Sequence, residues 1–227
     1  MTTLDASRSA AKAARRQPLR IPAGGATLDA DLTLPQAAQG VVLFAHGSGS
    51  SRFSPRNRHV AELLNQAGLA TVLADLLTPE EELVDERTRH LRFDIEFLAE
   101  RLVGVTDWLA RQDSTAQLPI AHFGASTGAA AALVAAAERP ALVRAVVSRG
   151  GRPDLAGESL AHVQAPTLLI VGGNDVQVIV LNRRALDQLP GEKQLVIVPG
   201  ATHLFEEPGT LDSVATLARD WFLRHLS

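Results

Sequence analysis

A chain of 227 residues that is 46% hydrophobic and 21% charged has the make-up of one soluble globular domain. A net charge of −3 leaves no basic footprint for nucleic acid, and without cysteine there is no disulfide, thiolate metal site or cysteine nucleophile. No apolar run approaches the ~20 residues needed to cross a membrane, no motif calls for a cofactor or metal, and a cysteine-free chain suits a reducing cytoplasm.

Met1 to Gln17 is rich in Ala, Ser and Arg and reads as a flexible tail, although Arg8, Lys12, Arg15 and Arg16 also permit an organellar leader. Residues 18–227 carry no repeat or linker and are expected to form a single domain. Thr27 to Leu34 alternates polar and apolar residues, as an edge strand with one wet face would. Val41 to Ala45 is continuously apolar, the pattern of a strand covered on both faces. Ser54 followed by Pro55 caps a helix that runs through Val60, Leu63 and Leu64 and stops at Gly68. Ala70 to Ala74 is the next buried strand and ends at Asp75.

Thr78 and Glu81 are spaced as a capping box, and Phe97, Leu98, Leu102, Val105 and Leu109 form an apolar stripe on a later helix. Three more compact apolar runs follow at Leu142–Val147, Thr167–Val171 and Gln194–Val198. A final helix presents Val214, Leu217, Trp221 and Phe222 to the core. The alternation predicts an α/β fold: a mainly parallel, doubly wound sheet with helices on both faces.

Between the helix bearing Phe97 to Leu109 and the Leu142 run lies Pro119-Ile120-Ala121-His122-Phe123-Gly124-Ala125-Ser126-Thr127-Gly128, then an alanine-rich stretch to Pro140. A short apolar strand, a G-x-S-x-G turn and a strong helix former make a nucleophile elbow. The spacing is steric. A strand that reverses into a helix crowds its own backbone, so glycine is needed on both sides, and Ser126 is lifted to the top of the turn. The three fixed positions alone recur by chance in roughly a tenth of proteins this long; the flanking strand and helix make the match specific.

In such sheets chemistry gathers beyond the carboxyl ends of the strands. Four segments there carry reactive or small residues: His46-Gly47-Ser48-Gly49-Ser50-Ser51, the elbow, Gly172-Gly173-Asn174-Asp175, and Pro199-Gly200-Ala201-Thr202-His203. A serine hydroxyl needs a base to take its proton as it attacks, an imidazole can do so near neutrality, and a carboxylate fixes the ring. Ser126, His203 and Asp175 are the candidates for nucleophile, base and acid. The amides of Thr127 and Ser48 are the candidate oxyanion-hole donors.

The other residue readings are structural. Of seven histidines, His122 lies within a strand and reads as packing, while His59, His90, His162 and His225 have helical or helix-flanking contexts. Asp75 precedes the elbow and reads as a turn acid; Asp154 competes with Asp175. A nucleotide site at Gly47 and Gly49 lacks the third glycine, which is Arg52, and no P-loop lysine follows. Arg149, first, and Arg52 and Arg56 are candidates to pair with a substrate carboxylate, against the plainer reading of structural ion pairs.

HGSGSS, GASTG, GGND and GATH, in this order and over about Leu28 to His225, resemble the dienelactone hydrolase branch of the α/β-hydrolases. The resemblance implies a compact fold without a large cap domain and a small ester or lactone as substrate. Dienelactone hydrolases proper attack with cysteine, whereas this chain has Ser126, which points to general ester or lactone hydrolysis. The alternatives are a non-catalytic ligand-binding or regulatory protein on the same fold, or an acyltransferase or peptidase using the same triad. Oligomeric state is not legible.

Overall fold

In the computed structural model, which describes residues 15–226, the chain opens with a hairpin. Strand β1 (Arg15–Ala23) pairs antiparallel with β2 (Ala26–Leu34), Ala23 lying opposite Ala26. The expected tail falls outside the described residues except for Arg15–Gln17, which already belong to β1. Strand β1 was hidden by Pro18 and Pro22, yet an edge strand tolerates proline because one side of it needs no N–H donor. Ile21 and Ala23 face inward. Strand β2 has the expected alternation, with Leu28, Ala30 and Leu32 buried, but it is not the edge. It is flanked by β1 and β4, both antiparallel to it.

The rest follows the expected rhythm. Strand β3 (Val41–Ala45), helix α1 (Pro55–Gln66), strand β4 (Ala70–Ala74), helix α2 (Pro79–Thr88), a 3-10 turn at Leu91–Phe93 and helix α3 (Ile95–Leu109) lead to the elbow. Strand β5 (Ile120–Ala125) and helix α4 (Thr127–Glu138) form it. Then come β6 (Val143–Arg149), a kinked 3-10 stretch at Pro153–His162, β7 (Thr167–Gly172), α5 (Val176–Gln188), β8 (Lys193–Val198) and α6 (Thr210–His225).

The eight strands form one sheet in the order β1-β2-β4-β3-β5-β6-β7-β8, parallel from β4 to β8. After β3 the chain steps to β4 on one side; after α3 it returns to β5 on the other. A crevice therefore opens beyond the carboxyl ends of β3 and β5, where a doubly wound sheet places its ligands. With a period of two, Val41, Leu43 and Ala45 of β3 join the core shared with α3 and α4. Val42 and Phe44 join the core shared with α1 and α6. Each fully buried Leu or Phe contributes on the order of 1.5–3 kcal/mol relative to exposure. Ala129 to Ala132 of α4 are completely buried, so the alanine face lets the elbow helix lie close to the sheet.

Local capping chemistry sets the helix starts, at α1 and α2 as read from sequence and at α3 through a cap seen only in the structure. Ser54 Oγ accepts from the Asn57 amide, Thr78 and Glu81 form a reciprocal capping box, and Asp94 accepts from the Phe97 amide. Among the described residues no helix is long and apolar enough to cross a membrane.

Candidate active site

The strand-to-helix reversal at the elbow puts Ser126 at φ +51° and ψ −123°, a backbone region that non-glycine residues rarely occupy. Its neighbours confirm the steric reason for the glycines. A Cβ on Gly124 would lie 2.4 Å from Ala129 Cα, and one on Gly128 would lie 2.4 Å from the carbonyl oxygens of Ala45 and His46. The Ser126 carbonyl accepts from the amides of Ala129 and Arg152, both at 3.1 Å. Backbone from α4 and from the segment after β6 thus holds the elbow in place.

The acid and base come from the two strands at the far side of the sheet. Asp175 follows β7, and His203 follows β8. Their loops are laced together: the Asn174 amide donates to Ala201 O at 2.9 Å and the Asn174 Nδ2 group donates to Gly200 O at 2.9 Å. Gly172 allows the approach, since a Cβ there would stand 2.4 Å from Ala201 O and 2.5 Å from Thr202 O. Across that seam the His203 Nδ1–H donates to Asp175 Oδ2 at 2.7 Å. The bond leaves Nε2 as the free ring nitrogen.

Ser126 and His203 line one cavity of about 260 Å³, together with Gly47, Ser48, Ser50, Ser54, Arg56, Asn57 and Arg149. Among the described residues no hydrogen bond joins the Ser126 hydroxyl to the His203 ring; in unliganded sites such contacts are often open and tighten on binding.

The His46 loop crosses directly over the nucleophile, as a Cβ on Gly47 would lie 3.0 Å from Ser126 Cβ. His46 anchors the loop: its Nε2 accepts from the Leu76 amide at 3.1 Å and its Nδ1 lies 3.0 Å from Gly47 O. Desolvation lowers its pKa and keeps the ring neutral. The Thr127 amide has no partner among the described residues and is free to face a developing charge. The Ser48 amide is not free. It donates to Thr127 Oγ1 at 3.0 Å, so it can serve an oxyanion only once that bond opens.

The rival acids are engaged elsewhere. Asp75 accepts from the Arg52 amide at 2.6 Å and from its guanidinium, and Asp154 takes a two-pronged bond from Arg152 at 2.9 and 2.7 Å. The first pairing corrects the expectation for Arg52. Its charge is spent on the turn acid at the end of β4, and it does not line the Ser126 cavity. Arg56 and Arg149 do line it. Arg149 is buried, has no acidic partner among the described residues, and donates only to Asn57 Oδ1 at 3.4 Å. Burial first, and Arg56 second, push its pKa down to about 10.

Asn57 was not singled out from sequence, and Ser54 was read only as a helix cap. The one signal was a helix start without any acidic residue in its first turn. Among the described residues no group of acidic and histidine side chains is gathered to hold a metal ion.

Known proteins resemble this chain in sequence or fold. A dienelactone hydrolase from Anabaena variabilis is 62% identical and superposes with a TM-score of 0.93, over 94% of this chain and 99% of that one. Est1E from Butyrivibrio proteoclasticus, solved with ferulic acid, shares the fold at 18% identity and a TM-score of 0.75, covering 92% and 99% of the two chains. A Mycobacterium tuberculosis protein provisionally named a phosphoribosyl transferase is 62% identical over 212 residues. That match covers 93% of this chain but 47% of the relative, so the chain spans about half the length of the curated relatives it matches. The dienelactone hydrolase family model matches residues 28–226, a stretch that takes in the loops bearing His46, Ser126, Asp175 and His203, and the chain belongs to that family.

Proposed function

We propose that this chain is a serine hydrolase that cleaves small carboxylic esters or lactones through an acyl-enzyme on Ser126. The observation that carries the reading is the 2.7 Å bond from His203 to Asp175 at the rim of the cavity that also holds the strained Ser126. A carboxylate so placed fixes the ring tautomer, presents Nε2 as a base, and stabilises the imidazolium that follows.

Ser126 Oγ attacks the ester carbonyl carbon while His203 Nε2 takes its proton. The carbonyl oxygen becomes an oxyanion facing the Thr127 amide, with the Ser48 amide joining as it leaves Thr127 Oγ1. Collapse breaks the bond to the leaving alkoxide, which receives the proton from His203. Water then attacks the acyl group by the same route, releasing the carboxylic acid and restoring Ser126. The cavity of about 260 Å³ lies just below the range of drug-sized pockets and suits a small acyl and alcohol pair. Buried Arg149, without an acid of its own, supports an anionic group elsewhere on the substrate.

The phosphoribosyl transferase name belongs to relatives about twice this length and has no counterpart in the serine, histidine and aspartate gathered here. Absence of cysteine and of nucleic-acid-binding charge fits a cytoplasmic enzyme of small molecules.

A fluorophosphonate probe is expected to label the protein, and Ser126→Ala to abolish both labelling and turnover of short p-nitrophenyl esters. Labelling that survives in the variant, or a native chain inert to both probe and esters, would overturn the reading.

A further inference from the structure

One wall of the Ser126 cavity holds more positive charge than the triad chemistry needs. Arg149, at the end of β6, is 7% exposed, and its Nε is buried without a partner. Its one side-chain bond, to Asn57, is to a neutral amide. A buried charge with no counter-charge is strongly unfavourable, so a guanidinium left in this state is matched to something that binds. Arg56 stands on the same wall. Its Nε is also buried and unpartnered, while Nη1 donates outward to the exposed Glu206 at 3.2 Å. The two arginines repel one another, which a resting structure gains nothing by arranging.

Helix α1 begins at the same place. Its Ser54 cap and Asn57 line the cavity, and its first turn carries no acid, whereas α2 opens with Glu80, Glu81 and Glu82 and α3 with Glu96. The partial positive charge of the α1 N-terminus is therefore uncompensated and adds to the two guanidiniums. Ser50 supplies a further hydroxyl on this wall.

Resting on the hydrolase reading above, we propose that this wall binds a phosphate dianion as a handle, and that the substrate is a phosphorylated ester or lactone. The geometry favours phosphate over carboxylate on two counts. Two forks from different elements, β6 and α1, line the one cavity. A flat carboxylate offers two oxygens to one fork, whereas a tetrahedral phosphoryl group offers three. The charge balance agrees, since the buried Arg149 guanidinium, the half-buried Arg56, paired only with the exposed Glu206, and a helix N-terminus together call for more than one negative charge. The phosphoryl group does not react; it positions the ester carbon at Ser126.

The test is calorimetric binding to Ser126→Ala protein at pH 8 of three probes: methyl phosphate, a dianion; dimethyl phosphate, a monoanion of similar shape; and acetate. Methyl phosphate is expected to bind at least tenfold tighter than either of the others. Arg149→Gln and Arg56→Gln are each expected to weaken it at least tenfold, and Arg149→Lys to recover part of the loss. Arg56 is half-exposed on a helix turn, so its variant carries the test if Arg149→Gln fails to fold. Acetate binding as tightly as methyl phosphate would overturn the proposal in favour of a carboxylate handle. Absence of methyl phosphate binding by folded protein would overturn it outright. Fluorophosphonate labelling of the native chain is read separately. Labelling without methyl phosphate binding removes the handle and leaves the hydrolase, and binding without labelling does the reverse.

Discussion

Ser126 and Asp175 share an unusual local role. Each occupies the N-cap position of a helix, α4 and α5, and neither side chain caps it. A serine or aspartate cap is commonly worth about 1 kcal/mol, and both helices forgo it so that the oxygen atoms stay available to the cavity. Ser126 also holds a left-handed φ of +51°, which costs on the order of 1–3 kcal/mol. Ser126→Gly is therefore expected to be inactive yet more stable than Ser126→Ala by about 1 kcal/mol, because the alanine keeps the Cβ that the backbone disfavours. Urea denaturation of the two variants checks this; equal stabilities would show that the elbow stores no strain. Asp175→Asn keeps the shape but loses the charge that stabilises the imidazolium, and its NH2 group can donate to Nδ1 and hold the ring in the wrong tautomer. A fall in kcat of roughly 10³–10⁴-fold is expected, with little change in stability, measured on the best p-nitrophenyl ester.

At the scale of elements, the site depends on close backbone approach between loops. The loop after β7 meets the loop after β8 at Gly172, where an added Cβ would stand 2.4 Å from Ala201 O. Gly172→Ala must push the two loops apart, and His203 rides on the displaced one. Misplacement by about 1 Å costs on the order of 10²-fold in rate, and the strain about 1–3 kcal/mol in stability. Steady-state kinetics beside thermal unfolding would separate the two effects; native activity in the variant would mean the seam does not position the base. The same logic explains why GGND and GATH occur as paired motifs, since Asn174 donates to both Gly200 and Ala201 across the seam.

For the molecule as a whole, the buried histidine of the central strand sets an acid limit. His122 is fully buried, its Nδ1–H donates to Ala132 O at 3.2 Å, and its Nε2 lies 3.0 Å from Thr106 Oγ1. Burial pushes its pKa down from 6.5 to about 4. Below pH 6.5 the unfolded chain takes up a proton at this residue that the folded chain refuses. Its contribution is thus fully present above pH 6.5 and is lost as pH falls toward 4. The total loss is on the order of 3 kcal/mol. His46, whose pKa desolvation also lowers, acts in the same direction. Urea unfolding at pH 7.5 and pH 5 is expected to show lower stability at pH 5, with a shallower dependence in His122→Asn. A pH-independent midpoint would sink the assignment.

The patterns legible in the chain alone were those that a few neighbouring residues enforce. Continuous apolar runs marked β3, β4 and β5, hydroxyl caps marked the starts of α1 and α2, and flanking glycines marked the turn at Ser126. Each follows from local sterics or from the period of one element, so no partner strand need be known. Pairing across the fold obeys no such rule. That β1 is the edge and β2 is not was decided by which backbone groups found partners. That Arg52 is spent on Asp75 while Arg149 faces the cavity unpaired was decided by contacts between residues far apart in sequence. A charge on a side chain is written in the sequence; what neutralises it is settled only when folding brings distant segments within a few ångströms.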